Sequence, residues 1–317
     1  MTAIHGFVKA NRRPGELGVH SVDHFHFVVP DLVVAQNFYT EFGLDIHGAG
    51  DRLAMRTFGS PQVWGTIGEG TRKQFGYVSF GAFEDDIDRF ARRLQDMGVR
   101  RIDPPPGIDS NGLWFHDHDG RPVEIKAAAK VSPDEKSTFN QPSGGPATRN
   151  APFRSTIRRT FPRRLAHVLL FTPDVQKAID FYTRVLGLRL SDRSGDNIAF
   201  MHGIHGSDHH MIAVARSNAP GHHHFSWDVG SVDEIGGGAM HMLGKGFVKG
   251  WGLGRHVLGS NFFHYVQDPW GSFCEYSADI DFVPVDCNWP ADDHPPEDSF
   301  YAWGPEVPAD FVHNYEA

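Results

Sequence analysis

Residues 22–44 (VDHFHFVVPDLVVAQNFYTEFGL) return in altered form at residues 165–188 (LAHVLLFTPDVQKAIDFYTRVLGL), and this self-similarity constrains the fold more than any other feature of the chain. A repeat at this scale means that one supersecondary unit is used more than once. In each copy a short apolar strand carrying a histidine ends at a Pro-Asp pair, and an amphipathic helix follows. Asp31 and Asp174 are the natural N-caps, and Gly43 and Gly187 suit the C-terminal stop. Two further pairs extend the match. Residues 75–99 parallel residues 223–247, each a strand leading through an acidic cap into a helix, and residues 115–125 parallel residues 265–276. Each half therefore reads as tandem β-α-β-β units.

Between the halves, residues 131–160 are rich in Ser, Pro, Gly and Asn, which is linker composition. The expected division is residues 1–130, a linker at 131–162, a second domain at 163–280 and an arm at 281–317. That arm is rich in proline and aspartate but carries Trp289, Tyr301 and Trp303, more aromatics than a disordered tail holds. An ordered arm on this domain or on a neighbouring subunit is expected.

The formal charge of −9 argues against a nucleic-acid partner, and no apolar run reaches the length of a membrane span. The first residues lack the apolar core of a secretory signal, so a cytoplasmic protein is expected. Two cysteines, Cys274 and Cys287, imply no disulfide framework. Twenty histidines are the outlier.

Equivalent positions can be compared within the chain. The second half places His167 on its first strand, His224 on the strand after the loop and Glu275 after the final Asp268-Pro269-x-Gly271 turn. Strands 57 and 51 residues apart converge only if the units roll their sheets around a shared cavity. Two imidazoles and one carboxylate on one face leave coordination positions open, the ligand set of a non-haem iron(II) oxygenase. Iron, Fe(2+), fits best, with Mn(2+) as the alternative. The first half offers His24 and Glu124, but Tyr77 stands where His224 would be. A phenol titrating near ten is a weak substitute for imidazole, so no catalytic metal is expected there.

The segment 254–276, GRHVLGSNFFHYVQDPWGSFCEY, resembles the signature of the type I extradiol ring-cleavage dioxygenases of the vicinal-oxygen-chelate superfamily. The match lies in the glycine two residues before His256, that histidine, the spacing to Tyr265, the Asp-Pro-x-Gly turn and Glu275. It departs at His264, where the family usually has an aliphatic or aromatic residue. The resemblance covers both repeats, essentially residues 20–280, and includes the His167 strand and the motif ending at His224. It implies an α+β fold of tandem βαβββ modules, two domains each forming an incomplete barrel around a cavity, the first non-catalytic. It also implies His167, His224 and Glu275 as ligands of a metal that a catechol chelates through two oxygens while dioxygen takes a remaining position. The ring would open beside the hydroxyls. The family's acid-base histidine precedes an apolar strand, so the resemblance implies that role for His210, which abuts Met211-Ile212-Ala213 and lies 14 residues before His224, with His209 as fallback. His256 and Tyr265 would hydrogen-bond the substrate hydroxyls and the oxygen species. Family analogy suggests a homo-oligomer.

Plainer readings compete at each position. A histidine is more often satisfied in the core or solvated than a ligand, and His116, His118, His202, His205, His294 and His313 are assigned so. The run at residues 222–224 could be a solvated loop, were His224 not in strand register. Glu275 could pair with Arg255. The Phe38-Tyr39 and Phe181-Tyr182 pairs read as core. Gly236, Gly237 and Gly238 form no phosphate-cradling loop. A metal-dependent glyoxalase- or epimerase-like isomerase and a non-catalytic binding protein are the other functions this fold allows. For the substrate, the members of the family acting on carboxylated catechols have an arginine five residues before the histidine matched by His256, where this chain has Trp251. An aromatic wall at Trp251, to which Phe200, Met201 and Phe262 add and with His209 nearby, implies an uncharged or alkyl-substituted catechol.

Overall fold

The computed structural model describes residues 11–141 and 143–317. The stretch read above for a secretory signal falls partly on residues 1–10, outside the described residues. The first half supplies β1 (Ser21–Val29), α1 (Leu32–Phe42), β2 (Asp45–Ala49), β3 (Arg52–Arg56), β4 (Gly65–Glu69), β5 (Gln74–Ala82), α2 (Ile87–Asp96), β6 (Leu113–His116) and β7 (Pro122–Ala127). The second supplies β8 (Arg164–Thr172), α3 (Val175–Leu186), β9 (Arg189–Ser194), β10 (Ile198–His202), β11 (Ser207–Asp208), β12 (Ile212–Arg216), β13 (Gly221–Asp228), α4 (Val232–Gly244), β14 (Gly250–His256), β15 (Phe262–Gln267) and β16 (Phe273–Ala278). Three short strands follow: β17 (Phe282–Val283), β18 (Asp292–Asp293) and β19 (Tyr301–Trp303). The fold is α+β. One sheet runs β2-β3-β4-β1-β5-β7-β6 and the other β18-β9-β10-β12-β8-β13-β16-β15-β14-β19, while β11 pairs with β17. The units starting at β1, β8 and β13 are βαβββ in outline. The unit starting at β5 has two strands after its helix.

The caps follow the sequence chemistry. Asp31 Oδ1 accepts from the backbone of Val33 at 2.8 Å and Val34 at 3.0 Å, and Asp174 accepts from Lys177 at 3.0 Å. Gly43 and Gly187 close α1 and α3 at φ +107° and +74°, a region open to glycine without steric cost. The two turns also match. Asp117 Oδ1 accepts from Asp119 and Arg121 nitrogens, as Asp268 Oδ1 does from Trp270 and Ser272.

The halves share one core. Phe25 stacks on Phe225 with centroids 3.7 Å apart, and Phe42 stacks on Tyr276 at 3.9 Å. Phe38, Tyr39 and Tyr182 are buried and Phe181 half-buried, as core positions should be. Each tyrosine hydroxyl also reaches the turn of the opposite half: Tyr39 bonds Asp268 at 3.4 Å and Tyr182 bonds Asp117 at 2.9 Å. These reciprocal bonds fix one module against the other. Gly236 to Gly238 lie inside α4, and Gly238 lets Tyr276 approach so closely that a Cβ would sit 2.7 Å from its ring.

Residues 131–160 contain no α-helix or strand among those described, only a single 3-10 turn at Arg154–Thr156. Beyond residue 280 the chain is ordered on the second sheet: β18 pairs with β9, β19 with β14, and Phe311 is buried against Trp251, Tyr265 and Phe273. Cys274 and Cys287 are free. Among the described residues no helix is long and apolar enough to cross a membrane.

Candidate metal centre

Strand register brings three distant residues onto one face. Ser226 on β13 is paired with His167 on β8 and with Glu275 on β16, so these two side chains flank it on adjacent strands. His224, two residues before Ser226, shares its face because side chains alternate along a strand. All three are buried, Glu275 completely. His167 Nε2 lies 3.1 Å from His224 Nε2 and 3.2 Å from Glu275 Oε2, and His224 Nε2 lies 3.5 Å from the same oxygen. Among the described residues this is the one cluster of three such groups, with ligand atoms within 4.8 Å of one another.

These separations fit a shared cation. Adjacent ligands about 2.1–2.2 Å from one ion lie roughly 3 Å apart in octahedral geometry. Glu275 Oε2, though buried, has no hydrogen-bond partner, and an orphaned buried carboxylate oxygen is costly unless something positive meets it. Oε1 is held by Asn261 Nδ2 at 3.1 Å. The protonation states suit a cation as well. Burial alone would raise the Glu275 carboxyl, but His167 beside it outweighs that and the net shift is downward. Burial, helped by neighbouring His223 and His167, drives His224 well below the usual histidine range. A neutral imidazole and an ionised carboxylate are what a metal takes.

The tautomer of His224 is determined by its neighbour. His223 Nε2 meets the carbonyl of Phe311 at 2.7 Å, and a carbonyl only accepts, so that nitrogen carries the proton. In neutral His223, Nδ1 is then an acceptor, 2.6 Å from His224 Nδ1, which must donate. His224 Nε2 is left with its lone pair toward His167 and Glu275. The whole run His222–His224 is buried in β13, so the solvated-loop reading fails. The Arg255 pairing for Glu275 fails too: Arg255 reaches Asp279 at 3.5 Å.

His167 and His224 line a cavity of about 320 Å³, together with His210, His256, Tyr265 and Phe200. His210 sits against His167 with ring centroids 4.1 Å apart, and burial holds it well below the usual histidine range. Tyr265 pairs in register with Glu275, and its hydroxyl lies 2.9 Å from His256 Nε2. His256 Nδ1 donates to the Phe300 carbonyl at 2.8 Å, so a neutral His256 accepts the Tyr265 proton at Nε2. The phenol oxygen keeps its lone pairs for a ligand.

Four residues expected at the cavity wall are elsewhere. Trp251 pairs with Tyr265 on the far side from Glu275, which puts it two strands, about 10 Å, from the carboxylate. Phe300 and Phe311 of the arm pack on it at 5.0 and 4.8 Å, and its Nε1 donates to Pro305. Phe262 alternates with Tyr265's face along β15, stacks on Phe139 and lies beneath Arg255. His209 is fully buried behind His210, bonded to Asp192 at 2.8 Å. Met201 is likewise buried off the cavity. Phe200 lines the cavity as expected, joined by Leu169, Phe171, Ile198 and Leu258 and by the arm's Phe300 and Phe311. No spacing in the sequence pointed to Asn261, Asp192 or Phe311.

In the first half, His24 Nε2 lies 3.2 Å from the Tyr77 hydroxyl, the counterpart of the His167–His224 contact. Glu124 is turned to Ser79 at 2.5 Å and to Ser110.

Paired modules of this topology with a two-histidine, one-carboxylate cluster define a class of metal-binding βαβββ proteins. The model of the Glyoxalase/Bleomycin resistance protein/Dioxygenase superfamily matches residues 21–125 and 164–276, and the chain belongs to that superfamily. It is 50% identical over 299 residues, 94% of this chain and 93% of the other, to metapyrocatechase 2 of Cupriavidus necator. It is 31% identical to biphenyl-2,3-diol 1,2-dioxygenase of Pseudomonas sp. (strain KKS102), covering 80% and 87% of the two chains. The Mn(II)-bound glyoxalase from Novosphingobium aromaticivorans superposes with a TM-score of 0.75 at 23% identity, covering 94% and 95%, and shares the fold.

Proposed function

We propose that the chain is a metal-dependent extradiol dioxygenase that opens the ring of an uncharged, substituted catechol beside its two hydroxyls, incorporating both atoms of O2. The observation that carries the reading is the orphaned Glu275 oxygen within 3.5 Å of two histidine Nε2 atoms, both histidines lining an apolar cavity. The similarity to a metapyrocatechase over nearly the whole chain supports it.

His167, His224 and Glu275 would hold a divalent ion, Fe(2+) in preference to Mn(2+). An ion held there would supply Lewis acidity toward the catechol and a route for electron density from the catechol to dioxygen. The side chains do the rest. His210 takes a hydroxyl proton from the entering catechol and returns it when the O–O bond breaks. Tyr265, its own proton engaged by His256, accepts from the second hydroxyl and orients the ring. Asn261 keeps one Glu275 oxygen occupied so that the other faces the ion. Phe200, Leu169 and Leu258, with Phe300 and Phe311 from the arm, exclude water and favour an apolar ring substituent.

The test is anaerobic purification, loading with Fe(II) or Mn(II) in parallel, and addition of substituted catechols under air. A yellow ring-cleavage product with one metal, preferring alkyl-substituted over carboxylated catechols by kcat/KM, is expected. No coloured product with any catechol and either metal refutes the dioxygenase reading. A preference for a carboxylated catechol refutes the substrate class alone.

A further inference from the structure

Among the described residues two adjacent histidine pairs are bonded through Nδ1 to Nδ1, and they end on different groups. His223–His224 ends on the Phe311 carbonyl. His209–His210, 3.0 Å apart at Nδ1, ends on a carboxylate: His209 Nε2 lies 2.8 Å from Asp192 Oδ2. Asp192 on β9 is 6% exposed and His209 fully buried, and neither touches the cavity. The arm completes the shell. Trp289 Nε1 bonds Asp192 Oδ2 at 3.3 Å, and the Asp292 backbone and His294 Nε2 bond Oδ1 at 3.2 and 2.9 Å.

We propose that Asp192 is a positioning residue for ring cleavage: acting through His209, it fixes the tautomer of His210 so that the nitrogen offered to substrate is an unprotonated Nε2. The inference rests on the acid-base role given to His210 above.

Hydrogen-bond direction carries the argument. An ionised carboxylate only accepts, so His209 Nε2 carries its proton. The neutral His209 ring then has Nδ1 as an acceptor, and among the described residues the donor that meets it is His210 Nδ1–H. A neutral imidazole has one N–H, so His210 Nε2 holds a lone pair, as a base requires. The different termini explain why two similar pairs do different work. A carbonyl orients a neutral pair and can do no more for it. A carboxylate also compensates a positive charge. When the catechol O–H bond breaks and its proton bonds His210 Nε2, the cation formed is shared along two hydrogen bonds with Asp192. His224, backed by a carbonyl, stays neutral. The other groups facing the pair are His202, which bonds Ser191, and His167 and His256 around His210, with Phe200 between. Among the described residues no other carboxylate bonds either ring.

An amide in place of the carboxylate breaks the direction of the chain. In Asp192→Asn the side-chain NH2 can donate to His209 Nε2, which moves the His209 proton to Nδ1 and leaves His210 protonated at Nε2. Misdirecting a general base in this way costs about 10²–10⁴-fold in rate. The deficit should be pH-dependent in a way that damage to packing is not. It is largest near neutrality and shrinks as pH rises and the substrate hydroxyl ionises unaided.

The test compares wild type, Asp192→Asn, His209→Gln, His209→Leu and His210→Gln in the full-length metal-loaded enzyme, measuring kcat/KM from pH 6 to 10. It adds anaerobic titration with a nitrocatechol, whose absorption reports whether the bound ligand is ionised. Expected are a steep neutral-pH loss in Asp192→Asn that narrows at high pH, and nitrocatechol bound less ionised than in wild type. His209→Gln, whose amide oxygen can still accept from His210, should retain more activity than His209→Leu. If Asp192→Asn does not fold, the His209 pair decides the matter by the same two readouts. A wild-type pH profile and nitrocatechol spectrum in Asp192→Asn, or equal activity of the two His209 variants, overturns the inference while a crippled His210→Gln leaves the parent reading intact. A fully active His210→Gln overturns the parent reading itself.

Discussion

Glu275→Gln separates a metal ligand from a structural ion-pair partner, because the two roles give opposite signs without metal. The carboxylate is fully buried, its Oε2 has no hydrogen-bond partner, and the nearest cationic candidates are two histidines, one of which burial holds neutral. If the ligand reading is right, the metal-free protein carries an uncompensated polar atom worth about 1–3 kcal/mol. Glutamine keeps the shape, removes the charge, and its amide can still meet Asn261. Metal-free Glu275→Gln should therefore be as stable as metal-free wild type or more so. With free metal at about a hundred times Kd, binding adds ~2.7 kcal/mol to wild type. At roughly 2.1 cal/mol/K per residue, 317 residues unfolding as one unit shift about 1.5 °C per kcal/mol, so chelation should lower the wild-type Tm by about 4 °C. Scanning fluorimetry with and without chelator measures all four values. The ligand argument is refuted if Glu275→Gln keeps the chelator shift, or if without metal it melts well below chelated wild type, as the loss of a structural ion pair would make it do.

Acid should destabilise the fold early: burial holds His20, His202 and His205 at about 4 against 6.5. Because the folded pKa is depressed, their stabilising contribution is complete above pH ~6.5 and lost as pH falls toward ~4, at up to about 3 kcal/mol per group, which a Tm series across that window reads directly. Phe311→Ala removes a buried ring from the Trp251, Tyr265 and Phe273 cluster and should cost about 3–5 kcal/mol in denaturant unfolding, with a fall in metal affinity as the carbonyl beside His223 loosens. Phe200→Ala should raise KM for an alkyl catechol by about tenfold, while Trp251→Phe leaves KM near wild type and lowers Tm, in steady-state and melting assays respectively. Metal analysis should return one ion per chain, and Tyr77→His should leave that number unchanged because Glu124 stays committed to Ser79 and Ser110; two ions per chain would overturn the account of the first half.

The repeat made the modular fold legible because local chemistry specified it: the Pro-Asp ends of β1 and β8, their capped helices and the Asp-containing turns are all decided within a few residues of chain. It also made His167, His224 and Glu275 legible, since each occupies the same place in its unit as His24, Tyr77 and Glu124. Of the apolar cavity walls only Phe200 was legible. Trp251 was placed there from its distance to His256, but on a sheet, row and parity decide which side chains meet, and Trp251 lies at the end of a row already occupied by Tyr265. Phe262 fails by parity alone, one strand face away. What closes the cavity instead is Phe300 and Phe311, from an arm whose docking depends on pairing with β9 and β14 at sequence separations that no local pattern encodes. The arm also supplies the Phe311 carbonyl to His223 and the Trp289 and His294 bonds to Asp192. The two histidine pairs that flank the candidate metal thus depend on the same segment, so the site is complete only once the C-terminal arm has folded onto the second sheet.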